Sequence, residues 1–400
     1  MTYSTISKVV SSVSMPGAMN IIDAAATRSK ETMSEPTAVI KGPLTWSGDD
    51  FKEKEAYTLQ LRKEELQEVD AALQGFKTLG LDGDEVDQHN FPLPKLAPQL
   101  AQCAKVIHEG RGFFVLRGLD ELRYSVEDST VIYLGIASYI ADKRGLQDKK
   151  GTMLTHVTNS KSWTVPVEKR HGIHSNHALP YHNDMGCDIL ALQVRHSAEK
   201  GGYTYLSSVS TAFNELLSEA RSAAATLLTP EWPVQISGRE PNYYLAPALT
   251  IHDGKLMASM DPNRFGPHKS YGSSNVPSLT ASQLLALEKI SNAAYRKELR
   301  LDLKTGDILF FNNWALLHRR DAYIDSDDTS RHMVRLWLRN SKLGWSVPDS
   351  LRQPWLAAYG ENGVRDRLYP LVPTAEYKLP KYSAGSAAFV IEDSDLSDNE

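Results

Sequence analysis

The sequence predicts a mixed α+β domain between two polar ends, and three observations carry that reading. Apolar residues recur at helical spacing through the first third of the chain, short apolar runs bounded by turn residues follow, and near the C-terminal end an acidic loop separates two runs rich in aromatic and branched residues. The composition agrees: of 400 residues, 41% are hydrophobic and 23% charged, an ordinary globular balance.

Residues 1–40 are rich in Ser, Ala, Thr and Met with no sustained period and read as a flexible extension. Sparse acidic groups beside Lys8, Arg28 and Lys30 leave a mitochondrial presequence open there. The domain is expected over 41–382. Leu66, Val69, Leu73 and Phe76 mark one amphipathic helix, and Leu96, Leu100, Cys103 and Ile107 a second. "GFFVLRGL" reads as a short buried strand, "SVEDSTVIYLGIASYIADKRG" as a helix, and "DILALQVRH" as a strand entering the turn "SAEKGG". From about 211 to 300, the helical stretches "TAFNELLSEARSAAATLL" and "TASQLLALEKISNAAYRKELR" flank a middle rich in Pro, Gly and Tyr. After the turn "KTGD", the run "ILFFNNWALLH" is expected to return through "RRDAYIDSDDTS" as "RHMVRLWLRN", an antiparallel pair with His318 near its loop end. Residues 383–400 form an acidic stretch that reads as a flexible tail. No internal repeat is visible.

A net charge of −5 without a basic patch argues against nucleic acid as a partner. The two cysteines, Cys103 and Cys187, have no metal-binding spacing and suit a reducing interior. No apolar run reaches the length of a membrane span and no secretory signal is recognisable. A cytoplasmic protein with a small-molecule ligand and no membrane partner is the expectation.

The stretch "PYHNDMGC" places His182 and Asp184 one residue apart. In an extended strand both project to one face while Asn183 faces away. His318, far along the chain at a strand end, is the best third ligand. Two histidines and one carboxylate leave coordination positions open, as in non-haem Fe(II) oxygenases, although zinc also accepts these ligands. Arg331 and Arg335, four apart, share one face of a strand, and arginine holds carboxylates through paired hydrogen bonds. Thr204 follows a Gly-Gly turn and supplies a hydroxyl. The blander alternative is an exposed His182–Asp184 pair, a core His318, and two arginines serving the acidic loop 325–328. His171, His174 and His177, spaced by three, offer a second metal site. Gly172, Ser175, Asn176 and Pro180 argue instead for a loop walling the substrate cavity, with Asn176 as a contact. Trp314, Trp337 and Trp345 read as core, as does Cys187.

Four motifs in order, "HND", "GGYT", "NNWALLH" and "RHMVR", spanning 182–335, resemble the taurine dioxygenase and clavaminate synthase family of Fe(II)- and 2-oxoglutarate-dependent oxygenases, in particular its fungal members. The resemblance implies a double-stranded β-helix, a cupin-like jelly roll with flanking helices. It implies that His182, Asp184 and His318 bind Fe(II), that Thr204 and Arg331 bind the distal carboxylate of 2-oxoglutarate, and that Arg335 meets an anionic group of the substrate or the cavity wall. The reaction implied consumes O2 and 2-oxoglutarate, releases succinate and CO2, and oxidises an unactivated C–H bond of a small, anionic molecule such as an amino acid, carboxylate or sulfonate. Hydroxylation is the default outcome, with desaturation or oxidative cyclisation open, and secondary metabolism is the expected setting. Tyr181 departs from the Trp, Phe or Leu that many relatives carry before the first histidine. Two rivals stand beside this reading: a metabolite-binding jelly roll without turnover, and a zinc-dependent hydrolase, which leaves Thr204 and the arginines unexplained. The oligomeric state is left open.

Overall fold

Phe113 and Val115 pack into one apolar cluster and Phe114 and Leu116 into another, and the run 308–311 divides the same way. These continuous apolar runs are therefore strands buried on both faces. The computed structural model describes residues 38–120, 123–237, 242–267, 275–360, 366–378 and 388–389. They belong to one compact unit, 36–400. The extension expected over 1–40 lies outside them apart from 38–40. So does the expected tail, apart from Ala388 and Phe389, which pair parallel with Ile236 and Ser237.

A seven-stranded sheet runs in the order Thr58–Gln60, Phe113–Arg117, Ile308–Asn312, Ile189–His196, His332–Arg339 and Lys143–Gly145, with Leu154–Thr158 also on His332–Arg339. A four-stranded sheet runs Leu299–Leu301, Thr204–Ser208, Leu316–Arg320, Leu179–His182. Between them lie Phe113, Leu190, Leu206, Leu309, Phe311 and Leu316, each such side chain contributing about 1.5–3 kcal/mol when fully buried. Helices Lys63–Leu79, Ala97–Glu109 and Val126–Ile140 cover the outer face of the larger sheet through Val69, Leu73, Leu100 and Ile107. Helices Val209–Glu219, Arg221–Leu228 and Ala281–Arg296 pack with Tyr181 and Leu317 of the smaller sheet. This is the expected α+β jelly roll with helices outside. No described helix is long and apolar enough to cross a membrane.

Two expectations change. The run 308–318 is not one strand paired with 331–340. It breaks after Asn312 into two strands in different sheets, because the Asn312 side chain accepts the N–H groups of Trp314 and Ala315 and turns the chain. His332–Arg339 pairs instead with Ile189–His196 and Leu154–Thr158. The helix expected over 211–228 is two helices meeting at Ala220, whose φ of −155° and ψ of 62° interrupt the turn.

Candidate active site

Strand Leu179–His182 ends on His182, directly opposite His318 of the neighbouring strand. Asp184 sits in the turn that follows, closed by the Cys187 N–H on the Asp184 carbonyl at 3.0 Å. One ligand atom each from His182, Asp184 and His318 lie within 4.8 Å of one another, the one such cluster of three among the described residues. His182 Nδ1 donates to the Pro180 carbonyl at 2.8 Å, which fixes the tautomer and leaves the Nε2 lone pair free. That Nε2 is 4.0 Å from Asp184 Oδ1. Burial, reinforced by His182, pushes the His318 imidazole well below its usual range, so it stays a neutral donor, and its Nδ1 is buried without a partner. Burial alone would raise the Asp184 carboxyl, but Arg335 and the two histidines, with the Trp337 N–H, hold it at about 2. Two imidazoles and one carboxylate suit a divalent borderline metal.

The segment between the ligands explains the two asparagines of the motifs. Asn183 points away from the His182, Asp184 and His318 cluster and donates to the Asn313 and Leu316 carbonyls at 2.6 and 2.9 Å. Asn313 donates to the carbonyls of Asp184 and Cys187 at 2.7 and 2.8 Å and accepts the Asp184 N–H at 3.0 Å. Five residues before His318, it therefore sets the turn that carries Asp184. Tyr181, on the opposite pleat from His182, is buried against Tyr295 and donates to Glu298 at 2.6 Å. Its departure from the family pattern thus falls on the helix side of the strand.

Thr204 begins strand Thr204–Ser208 in register with Arg320. Arg331 is 3% exposed; its Nε donates to the Gly202 carbonyl at 3.1 Å, Nη2 lies 3.2 Å from Met333 Sδ, and Nη1 has no partner. Gly202 has φ +68°, and a Cβ there would stand 2.8 Å from Arg331 Cδ, so the glycine admits the arginine. Arg335 Nη1 lies 2.9 Å from Asp184 Oδ2, and its Nε donates to Gln147 Oε1 at 2.7 Å.

The three spaced histidines do not converge on a metal. His171 Nε2 accepts from Arg264 at 2.8 Å, His174 stacks edge-on against Trp163, and the His177 carbonyl accepts from Arg320. Asn176 is tied to Tyr323, its carbonyl accepting the Tyr323 N–H at 3.0 Å and its side chain donating back at 3.3 Å. The expected loop is present, and Asn176 anchors it.

The chain matches the model described as "Taurine catabolism dioxygenase TauD, TfdA family" over residues 75–337. It belongs to the TauD/TfdA dioxygenase family. It is accordingly a 2-oxoglutarate-dependent non-haem iron dioxygenase, and the His182, Asp184 and His318 cluster has the ligand types that chemistry requires. It is 34% identical over 316 residues to a taurine hydroxylase-like protein, SAT17, of Stachybotrys chartarum, covering 77% of this chain and 82% of that one. It is also 26% identical to the FR-33289 synthase of Streptomyces rubellomurinus, covering 78% and 95%. Among solved structures, the dioxygenase resembles asparagine oxygenase with Fe(II), a hydroxyasparagine and succinate (TM-score 0.55, 17% identity, 70% of this chain and 93% of that one). It also resembles the non-haem iron oxygenase OrfP with Fe, succinate and a hydroxyarginine (TM-score 0.54, 14% identity, 71% and 94%).

Several groups around the dioxygenase site carry no sequence signal. Trp337, read as core, donates its indole N–H to Asp184 Oδ2 at 2.9 Å. Gln147 reaches Arg335 from a segment without a motif. Arg264 comes from the Pro- and Gly-rich middle, where Asn183 N–H bonds the Met260 carbonyl at 2.7 Å and so ties that segment to the ligand turn. Arg320 falls in the stretch expected as a loop, yet it ends strand Leu316–Arg320 on the same face as His318.

Proposed function

We propose that this dioxygenase holds Fe(II) through His182, Asp184 and His318, binds the distal carboxylate of 2-oxoglutarate through Thr204 and Arg331, and oxidises a small amino acid, carboxylate or sulfonate. The observation that carries the reading is the convergence of the three ligands within 4.8 Å. Iron, when bound, supplies O2 activation coupled to decarboxylation of 2-oxoglutarate. The chain supplies orientation and charge. Pro180 fixes the His182 tautomer, Trp337 and Arg335 occupy Asp184 Oδ2 so that Oδ1 is left for the metal, and the unpaired Arg331 Nη1 awaits a carboxylate oxygen. For the primary substrate, Arg335, loop 171–180 with Asn176, and the nearby Arg264 provide cationic and amide donors, which favour an anionic group. Arg335 already serves Asp184 through Nη1 and Gln147 through Nε, so any substrate recognition by it is shared with that role.

The test has two stages. Anaerobic titration of the Fe(II)-loaded protein with 2-oxoglutarate should develop the absorbance of the chelate. A panel of amino acids, carboxylates and sulfonates, scanned for stimulated succinate release with matching oxidised product, then identifies the substrate class. Stimulation only by cationic or neutral molecules would reject the anionic substrate while leaving the iron site standing.

A further inference from the structure

Arg320 is 4% exposed and has no carboxylate partner among the described residues. Its Nε and Nη1 have no hydrogen-bond partner among the described residues. The Arg320 and Arg331 guanidinium carbons lie 5.0 and 5.4 Å from the centroid of the Tyr323 ring. Arg320 also stands in register with Thr204 across the strand pair. Two buried cations, a phenol and a threonine thus surround one place, and among the described residues no carboxylate forms an ion pair with either guanidinium; Asp325 accepts the Arg331 backbone N–H at 2.8 Å instead. Burial and the neighbouring Arg320 charge push Arg331 down to about 9, as expected where like charges share a desolvated site.

The third nitrogen of Arg320 does something else. Nη2 donates to the carbonyls of Ser175, at 2.9 Å, and His177. Tyr323 holds the same loop through its two backbone bonds with Asn176. That loop runs directly into strand Leu179–His182, which ends on the first metal ligand. One guanidinium therefore faces the unbalanced pocket with two nitrogens and grips the substrate-side loop with the third.

We propose that Arg320 is a second cation of the 2-oxoglutarate carboxylate pocket and, through its Nη2 contacts, a positioning residue that couples occupancy of that pocket to the order of loop 172–178. The inference rests on the assignment of Arg331 and Thr204 to that carboxylate. A dicarboxylate in the pocket neutralises the repulsion between the two guanidiniums and fixes Arg320, and Arg320 fixes the loop carbonyls. The co-substrate then prepares the loop for the primary substrate. By linkage, a substrate that needs the ordered loop binds more tightly once 2-oxoglutarate is present.

The probe is 2-oxoglutarate itself, added anaerobically to the full-length Fe(II) protein, with affinity read from chelate absorbance and loop order from amide hydrogen exchange over 172–178. Wild type should show slower exchange there on binding. Arg320→Gln, which keeps an amide donor but no charge, should lose about tenfold or more in affinity and lose the protection even at saturation. Arg331→Gln should lose affinity yet keep the protection at saturation, because Arg320 is still present. Unchanged affinity in Arg320→Gln, or full loop protection in it at saturation, overturns the proposal. Unchanged affinity in both variants would instead reject the carboxylate pocket underlying it. If Arg320→Gln does not fold, Arg320→Lys, which keeps the charge without the forked donors, should retain affinity within about threefold and lose loop protection. Full protection in that variant overturns the coupling.

Discussion

Arg335 Nη1 lies 2.9 Å from Asp184 Oδ2, the same oxygen that accepts the Trp337 indole N–H at 2.9 Å. The guanidinium that the resemblance assigns to the substrate is thus also the partner of the Asp184 carboxylate. Arg335→Gln and Trp337→Phe should each weaken iron binding by about 10–100-fold, the usual effect of removing a group that orients a ligand. Competition against a chelator under anaerobic conditions measures it. Wild-type iron affinity in Arg335→Gln would free that arginine for the substrate alone, and the ratio of succinate to oxidised product would then be the quantity it changes.

His182→Ala or His318→Ala should abolish coupled decarboxylation and most iron binding, because two remaining ligands hold a labile divalent ion poorly. Iron per chain and succinate should be determined in parallel. A histidine whose removal leaves both near normal does not belong to the site.

Gly202→Ala should damage co-substrate binding without touching an iron ligand. The residue has φ +68°, and its new Cβ would stand 2.8 Å from Arg331 Cδ and 2.9 Å from Arg331 Nε. The strained backbone should cost about 1–3 kcal/mol of stability. Displacement of Arg331 should raise the 2-oxoglutarate requirement as well. Chemical denaturation and a co-substrate titration read the two effects separately. A variant with normal stability and normal affinity would show that the GGxT turn does not set the Arg331 position.

The chemistry of the site was more legible than its support. The convergence of His182, Asp184 and His318 could be expected because candidate metal ligands are few in residue type, and side-chain alternation restricts where they stand. Asn313 was visible only as part of a motif; its reason, three hydrogen bonds to the turn carrying Asp184 and Cys187, is a matter of tertiary contact. The strand break at Asn312 escaped the sequence reading because an apolar run buried on both faces has no period to lose at the break. Arg320 escaped it because an arginine beside an acidic loop resembles any surface arginine until its burial is known. Helix positions in the first third were clear, since Val69, Leu73 and Phe76 repeat on one face and all three are buried.

Arg331→Ala should raise the 2-oxoglutarate requirement far more than it changes iron content. Removing one partner of a desolvated carboxylate contact costs on the order of 2–5 kcal/mol, or tens- to thousands-fold in affinity. Co-substrate titration at fixed iron checks it. If Arg335→Ala weakens 2-oxoglutarate and Arg331→Ala does not, the pair is assigned in reverse.

Arg331→Met separates function from stability at the same position. In the protein without co-substrate, Arg331 carries a charge 3% exposed, beside Arg320 and with no carboxylate among the described residues in ion-pair contact with its guanidinium; Asp325 reaches only its backbone N–H. Buried charge costs folding free energy unless it is paired, and an unbranched apolar side chain of similar length relieves that cost while still packing against Tyr323. The metal-free variant should therefore melt at or above the wild-type temperature. In wild type, 2-oxoglutarate with Fe(II) should raise the melting temperature, since saturation at a hundred times Kd adds about 2.7 kcal/mol. The variant should lose most of that rise, because the remaining chelate contacts bind the co-substrate weakly. Anaerobic thermal denaturation of both proteins with and without 2-oxoglutarate gives all four values. A metal-free variant several degrees less stable than wild type would mean that Arg331 is already balanced in the empty protein, and the two-cation description of the pocket would fall with it.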